Sequence, residues 1–412
     1  MHILWLKTEF LHPLDRGGRI RTYGMLREVA KRHRVTYLTL DDGKSASDAL
    51  ERAREYSERA IRVPFKTAPR NSPRFYAELL ANVASPLPYA VSKYRVQAFT
   101  DAVHHAVREH KPDVVVCDFL APAVNVSTAL PVPSVLFQHN VESRIWRRHT
   151  EVARNAIARV FFGSQHARMR RFEAQACRMF DHVIAVSDDD ARELREDFGV
   201  PSVTAVPTGV DAEYFAPMPV ERDRNEIVFT GAMDWMPNVD GIQWFVREIL
   251  PLVQARRPDV RLTIVGRSPA PSIRALSETN PSITVTGTVD DIRPYLARAG
   301  AVIVPLRVGG GTRLKIYEAM GMNCPIVSTT IGAEGLPVRD GEHLHIRDTP
   351  AELADACVAT LADANASAAL GTRAGDYVRQ HFSWAAIAEE FVRQCELAVP
   401  RFAASARGAG RQ

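Results

Sequence analysis

Two doubly wound, Rossmann-like α/β domains facing a central cleft are predicted from three observations. The chain is 412 residues long, more than one hydrophobic core usually serves. Short apolar runs alternate with helix-length amphipathic runs along nearly all of it, the pattern of parallel strands joined by crossover helices. Near the middle, residues 213–225 interrupt that alternation with Pro217, Pro219 and the charged run from Glu221 to Arg224, as a linker would.

In the first half, strands are expected at 3–6, 35–40, 61–63, 113–117, 134–137, 182–186 and 203–206, each too short and too apolar for an independent helix. Helices are expected at about 19–31, where Ile20, Met25, Leu26 and Val29 share a face, at 46–60, through most of 71–110 and at 142–178. Ser85-Pro86-Leu87-Pro88-Tyr89 breaks the third of these. Ser187 followed by Asp188-Asp189-Asp190 reads as a helix cap with an acidic first turn, which explains these residues better than a metal-binding DxD. In the second half, strands are expected at 226–230, 262–265, 283–285, 301–305 and 325–328. Its helices are expected at 239–255, from Asp290-Asp291 to Arg298, and at 312–322, 350–362, 366–380 and 384–399. The domains are therefore placed at 1–215 and 216–383, with the helix at 384–399 a candidate to pack back on the first and 403–412 a disordered tail.

Composition narrows the class. Hydrophobic residues make up 46% and charged residues 24%, as in globular proteins, and a net charge of +4 is too small to argue for nucleic acid. The five cysteines show neither CxxC pairs nor zinc spacing and read as reduced, buried thiols. The apolar start, Met1 to Leu6, is interrupted by Lys7 and Glu9, so no signal peptide is expected. A cytoplasmic protein follows, with any membrane association peripheral. For that association the basic run from Glu142 to Arg178, nine arginines against three glutamates, offers attraction to anionic lipid; a solvated helix face explains it equally simply. The aromatics Phe75, Tyr76, Tyr89, Tyr94 and Phe99 are either core or the wall of an acceptor groove.

The most informative stretch runs from Gly309 to Gly335. Gly309-Gly310-Gly311 joins an apolar strand to a helix, and such a helix start offers unpaired N–H groups and the positive dipole end to a phosphate. Arg313 and Lys315 add charge, and Glu318 stands one to two turns further in. An anion site beside one carboxylate suits a phosphorylated ligand that also carries hydroxyls, as nucleotide-sugars do. In the first half, Gly17-Gly18 follows the first strand without a GxGxxG, and Gln138-His139-Asn140 follows the fifth, where ligands of open parallel sheets gather.

Phe229-Thr230-Gly231-Ala232-Met233, Val265-Gly266, Gly287-Thr288-Val289 and Gly309-Gly310-Gly311-Thr312-Arg313-Leu314-Lys315 through Glu318-Ala319-Met320 resemble the retaining glycosyltransferases of family 4, with the GT-B fold. Within that family the chain looks most like bacterial transferases of exopolysaccharide and other surface-glycan assembly. The resemblance implies a nucleoside-diphosphate sugar as donor, held between two domains, a glycan or lipid-linked acceptor, retention of anomeric configuration, and no bound metal. It implies that Glu318 holds the ribose hydroxyls and that Gly231, Gly266, Gly287 and Val289 border the nucleotide. His139 would act near the transferring sugar, and Gly17 and Gly18 would let the N-terminal loop approach phosphate or acceptor. Two departures stand out. The first carboxylate of the family's Glu-x7-Glu pair is Gly310 here, which leaves backbone N–H groups of Gly310, Gly311 and Thr312 to take its place. The loop after the first C-domain strand, 231–238, lacks the basic pair of many relatives, so Arg313 or Lys315 must compensate. A sugar-nucleotide epimerase on the same fold, or a non-catalytic nucleotide-sugar-binding partner, are the alternatives.

Overall fold

The computed structural model describes residues 1–14, 17–69, 71–126, 130–151, 155–308, 314–400 and 402–403. The chain divides into two compact units, residues 1–207 with 387–412, and residues 208–386.

The first unit is built on seven strands: β1 (His2–Lys7), β2 (Arg34–Asp41), β3 (Arg59–Pro64), β4 (Val114–Asp118), β5 (Ser134–Phe137), β6 (His182–Ala185) and β7 (Val203–Ala205). Their order is β3-β2-β1-β4-β5-β6-β7, with every pairing parallel. Every residue of β1, β4 and β5 is buried, because crossover helices cover both faces of a parallel sheet and leave no solvent side. In β1 and β4 charge is confined to the last residue, Lys7 and Asp118. The order reverses between β1 and β4, so these two carboxyl ends flank a crevice of the kind where doubly wound sheets bind ligands. Phe391, from the C-terminal helix, closes the core beneath them against Trp5 (ring centroids 5.3 Å apart) and Phe137 (5.0 Å).

Six strands make the second unit: β8 (Asp223–Thr230), β9 (Arg261–Val265), β10 (Ile283–Gly287), β11 (Ala299–Val304), β12 (Ile326–Ser328) and β13 (His345–Ile346). The order β10-β9-β8-β11-β12-β13 is again parallel throughout, with its reversal between β8 and β11. Two Rossmann-like sheets confirm the predicted fold class.

Several local expectations differ from what is found. Residues 213–225 are integral to the second unit: the Arg222 guanidinium donates to the carbonyls of Leu296, Ala299, Met322 and Asn323 at 2.9–3.1 Å, and Asp223 begins β8. The helix expected at 46–60 shrinks to Ala49–Arg52 plus a single 3-10 turn, Ala53–Glu55. The helix expected at 239–255 begins at Met236 and widens at Phe245–Ile249 before continuing as Leu250–Gln254. Pro251 has no N–H for the carbonyl four residues back, which accounts for the widened turn there. The helix after Asp290-Asp291 starts at Arg293, whose N–H is accepted by the Asp291 carboxylate at 2.9 Å. Strand β13 was not foreseen, since two residues carry no periodicity. Ser187 caps its helix as expected, accepting the Asp190 N–H at 3.2 Å, while Asp190 pairs with Arg144 at 3.0 Å. Of the five aromatics at 75–99, Phe99 is core and Tyr76 is exposed. The tail expected at 403–412 lies, from residue 404 on, outside the described residues.

Candidate functional site

In the second unit three glycines gather along the carboxyl edge of the sheet. Gly231 follows β8 and donates its N–H to Val265 at 2.9 Å; Gly266 follows β9 and donates to Gly287, the last residue of β10, at 3.2 Å. A Cβ on Gly266 would collide with the Gly231 carbonyl oxygen. A Cβ on Gly231 would come within 2.7 Å of both the Asn238 amide nitrogen and the Lys315 ammonium. Only hydrogen at these two positions lets backbones and a cation meet so closely. Gly287 has φ +72°, and Val289, two residues beyond, is partly buried. Beside Gly287 lies an open depression of about 610 Å³, lined by Ser268, Arg274, Glu278 and Thr288 among others.

Lys315 rises from the helix Leu314–Gly321 to this same point. Its ammonium donates to the Asn238 side-chain oxygen at 2.9 Å and stands 4.1 Å from the centre of the Phe229 ring, so a carbonyl dipole and an aromatic face hold it over the end of β8. Asn238 is fixed in turn by donating to the Ala232 carbonyl at 2.8 Å. Glu318 lies three residues on from Lys315 and shares its helix face. Among the described residues no side chain is hydrogen-bonded to its carboxyl, which burial pushes up to about 7 against the opposing pull of Lys315. A partly buried carboxyl group without a hydrogen-bond partner among the described residues, beside a fixed cation at the strand-order reversal, is equipped to receive a ligand with hydroxyls and phosphates. The remaining expected contacts, Gly310, Gly311, Thr312 and Arg313, lie outside the described residues.

Two residues at this edge went unrecognised in the sequence. Asn238 was read only as the end of the loop at 231–238. Arg307, just after β11, is engaged with Asp240 at 2.7 Å and lies over the Trp244 ring, so it braces the loop.

In the first unit the reversal between β1 and β4 holds a buried polar network centred on Asp118. One oxygen, Oδ2, accepts from Lys7 Nζ (2.6 Å), Thr22 Oγ1 (2.8 Å) and Trp5 Nε1 (3.0 Å); the other, Oδ1, meets His139 Nε2 at 2.6 Å. Burial alone would raise the Asp118 carboxyl, but Lys7 and His139 outweigh it and hold it well below the usual carboxylate range. Burial, opposed by Asp118 and reinforced by the positive charges of Arg21 and Lys7, drives His139 far below its ordinary value, so its ring is neutral. The ring is stacked on Phe119 (centroids 3.7 Å apart, planes at 14°) and tilted against Phe137. Gly18 completes this layer, since a Cβ there would fall 2.7 Å from the Phe119 ring. Gly17 begins the helix Gly17–Val29 and faces open space. Sequence reasoning named His139 and Gly18 but assigned no role to Lys7 and Asp118, each one residue beyond the strands expected at 3–6 and 113–117.

A third feature of the first unit is a group of exposed apolar side chains. Leu80 (74% exposed) lies in the last turn of the helix at 73–82 and Val83 (65%) follows it, while Ile157 (84%) and Val160 (73%) begin the helix Ala156–Met179. The two helices are joined where Arg168 donates to the carbonyls of Asn82 (2.6 Å) and Val83 (2.8 Å). Arg168, Arg144 and Arg178 are thus committed to internal partners, the last donating to the Phe198 carbonyl at 2.9 Å. No described helix is long and apolar enough to cross a membrane.

Comparison with known proteins supplies the chemical class. Residues 16–214 match the family described as Glycosyltransferase Family 4, and residues 224–363 match the one described as Glycosyl transferases group 1. A protein of Klebsiella pneumoniae, described as an uncharacterized 44.6 kDa protein in the cps region, is 20% identical over 84% of this chain and 87% of its own length. A phosphatidyl-myo-inositol mannosyltransferase of Mycobacterium tuberculosis is 29% identical over 52% of this chain and 58% of its own length. Among solved structures, sucrose-phosphate synthase from Thermosynechococcus elongatus superposes with a TM-score of 0.67 at 18% identity, over 95% of this chain and 98% of that one. HepE from Anabaena, solved in complex with UDP, gives 0.64 at 15% identity, over 96% and 100%. With the two Rossmann-like units these likenesses place the fold in the GT-B class. Both matches are to glycosyltransferase families, so the chain pairs a segment of family 4 type at 16–214 with a segment of group 1 type at 224–363.

Proposed function

We propose that this glycosyltransferase transfers a sugar, with retention, from a nucleoside-diphosphate sugar to a hydroxyl of a glycan or lipid-linked acceptor in the assembly of a bacterial surface polysaccharide. The observation that carries the donor class is the Lys315 ammonium fixed over Gly231, with the partly buried Glu318 carboxyl on the same helix face. Lys315 supplies positive charge to the diphosphate, the glycine edge admits it at backbone distance, and Glu318 receives the ribose hydroxyls. The cation missing from the loop at 231–238 is thus delivered from a different helix to the same end of β8. The depression beside Gly287 is the place for the base.

In the reaction the acceptor oxygen bonds to the anomeric carbon on the face the diphosphate leaves. The bond from that carbon to the phosphate oxygen breaks, and the hydroxyl proton passes to the departing phosphate. Charge builds on the leaving group, where a preorganised cation counts most. Lys315, with Arg313 and the backbone of Gly310, Gly311 and Thr312 as further candidates, takes the role a metal would otherwise have. A likeness to a protein of a cps region and to a phosphatidyl-myo-inositol mannosyltransferase supports the surface-glycan setting. The apolar side chains at 80, 83, 157 and 160, beside a basic helix pair, support peripheral attachment of the first unit to an anionic inner membrane face.

Thermal stabilisation across UDP-, GDP- and ADP-sugars tests the donor class, because a ligand of the native state raises the melting temperature by mass action. A several-degree rise with one nucleotide-sugar, followed by release of its nucleoside diphosphate in the presence of a lipid-linked acceptor extract, is the expected result. No shift with any of them contradicts the reading.

A further inference from the structure

Asp118 is the centre of the first unit's polar network, and its geometry constrains His139 more tightly than packing alone would. An ionised carboxylate only accepts hydrogen bonds. Its Oδ2 already receives three donors, from Lys7, Thr22 and Trp5, and its Oδ1 faces His139 Nε2 at 2.6 Å. The hydrogen on that contact must therefore come from the imidazole, so Nε2 carries it. The ring lies between Phe119 and Phe137, which fixes its plane, and the cations nearest to it, Lys7 and Arg21, disfavour a second ring proton. A neutral ring protonated on Nε2 has its lone pair on Nδ1, and no described residue is hydrogen-bonded to that nitrogen.

We propose that Asp118 is a positioning residue for glycosyl transfer, holding His139 as the Nε2–H tautomer so that Nδ1 presents a lone pair to a substrate hydroxyl. The proposal rests on the assignment of His139 to the reacting end of the first unit, and it gives Lys7, Thr22 and Trp5 a purpose: they keep the carboxylate ionised and correctly turned. Phe119, Phe137 and Gly18 set the ring plane. The hydroxyl's hydrogen is accepted, not removed, so His139 orients substrate without becoming charged.

The test uses the full chain labelled with ¹⁵N-histidine, with His139 assigned by its loss in His139→Asn. Two-bond ¹H–¹⁵N correlation spectra between pH 5 and 8 report tautomer and charge. The proposal expects an Nε2–H, neutral ring over the whole range, and a mixed or reversed tautomer in Asp118→Asn. An Nδ1–H ring, or a ring protonated at pH 6, overturns it, and so does an unchanged tautomer in Asp118→Asn. If Asp118→Asn does not fold, the wild-type spectrum and a second pair of variants decide. His139→Asn places an amide at the Nδ1 position and His139→Gln places one at the Nε2 position. Release of nucleoside diphosphate from UDP-, GDP- and ADP-sugars should keep a larger kcat, at similar KM, in His139→Asn than in His139→Gln; the reverse order overturns the assignment of Nδ1. Wild-type protein that turns over none of these donors contradicts the proposed function, and the spectra still judge the tautomer.

Discussion

The Lys315 ammonium meets the Asn238 side-chain oxygen at 2.9 Å, across 77 positions of sequence, and so stands at the end of a strand its own helix does not follow. That contact turns a helix residue into part of the loop after β8. Replacing Lys315 by Ala should therefore weaken nucleoside diphosphate far more than the bare nucleoside. A charged hydrogen bond contributes about 1.5–3 kcal/mol, or roughly 10- to 100-fold in affinity. Calorimetry with UDP against uridine, and GDP against guanosine, checks it; equal losses for both members of a pair would remove Lys315 from the phosphate.

Glu318 sets function against stability. Its carboxyl is raised by burial to about 7 from an unfolded value near 4.5, so the folded protein binds the proton more tightly. Stability is then highest below about pH 4.5 and is lost progressively as pH rises towards 7, where the buried group ionises. Glu318→Gln removes that loss. The variant should melt above wild type at pH 8, with the difference vanishing near pH 4.5, as scanning calorimetry at both values would show. A wild type that melts higher at pH 8 would mean that the carboxylate is paired rather than isolated.

Gly18 is needed for space. In Gly18→Ala the new methyl meets the Phe119 ring at 2.7 Å and drives it towards His139. Overpacking of this kind costs about 1–3 kcal/mol. Chemical denaturation should register the loss, with Gly17→Ala, which meets nothing within 4 Å, losing clearly less.

The apolar side chains at the ends of two helices predict membrane attachment with a particular signature. Flotation with vesicles containing anionic lipid should carry the protein at low salt and less of it at high salt. Ile157→Asp with Val160→Asp should abolish flotation at both. Flotation that survives the double change would locate attachment elsewhere.

How legible all this was differs by feature. The alternation of apolar and amphipathic runs revealed both sheets, because strands buried on two faces are nearly all apolar and stand out from their helices. Lys315 and Glu318 could be placed on one helix after the glycine-rich loop from the sequence alone. Asn238 could not be recognised, since its importance comes from a cation arriving from another element. Lys7 and Asp118 were hidden for a related reason: each is one polar residue at the end of an apolar strand, and their partnership spans 111 positions. The apparent linker at 213–225 misled because prolines and charges also suit a segment pinned by one arginine to four carbonyls.

The central claim is that the carboxyl edge of the second sheet holds a nucleoside diphosphate through Glu318 and Lys315. Calorimetric titration of UDP, GDP and ADP into wild type and Glu318→Ala tests it most directly. The account predicts that wild type binds at least one of the three and that Glu318→Ala weakens that binding by roughly 10-fold or more, as expected for losing a charge-assisted hydrogen bond to ribose. Equal affinity in the two proteins, or binding of none of the three by wild type, would contradict it.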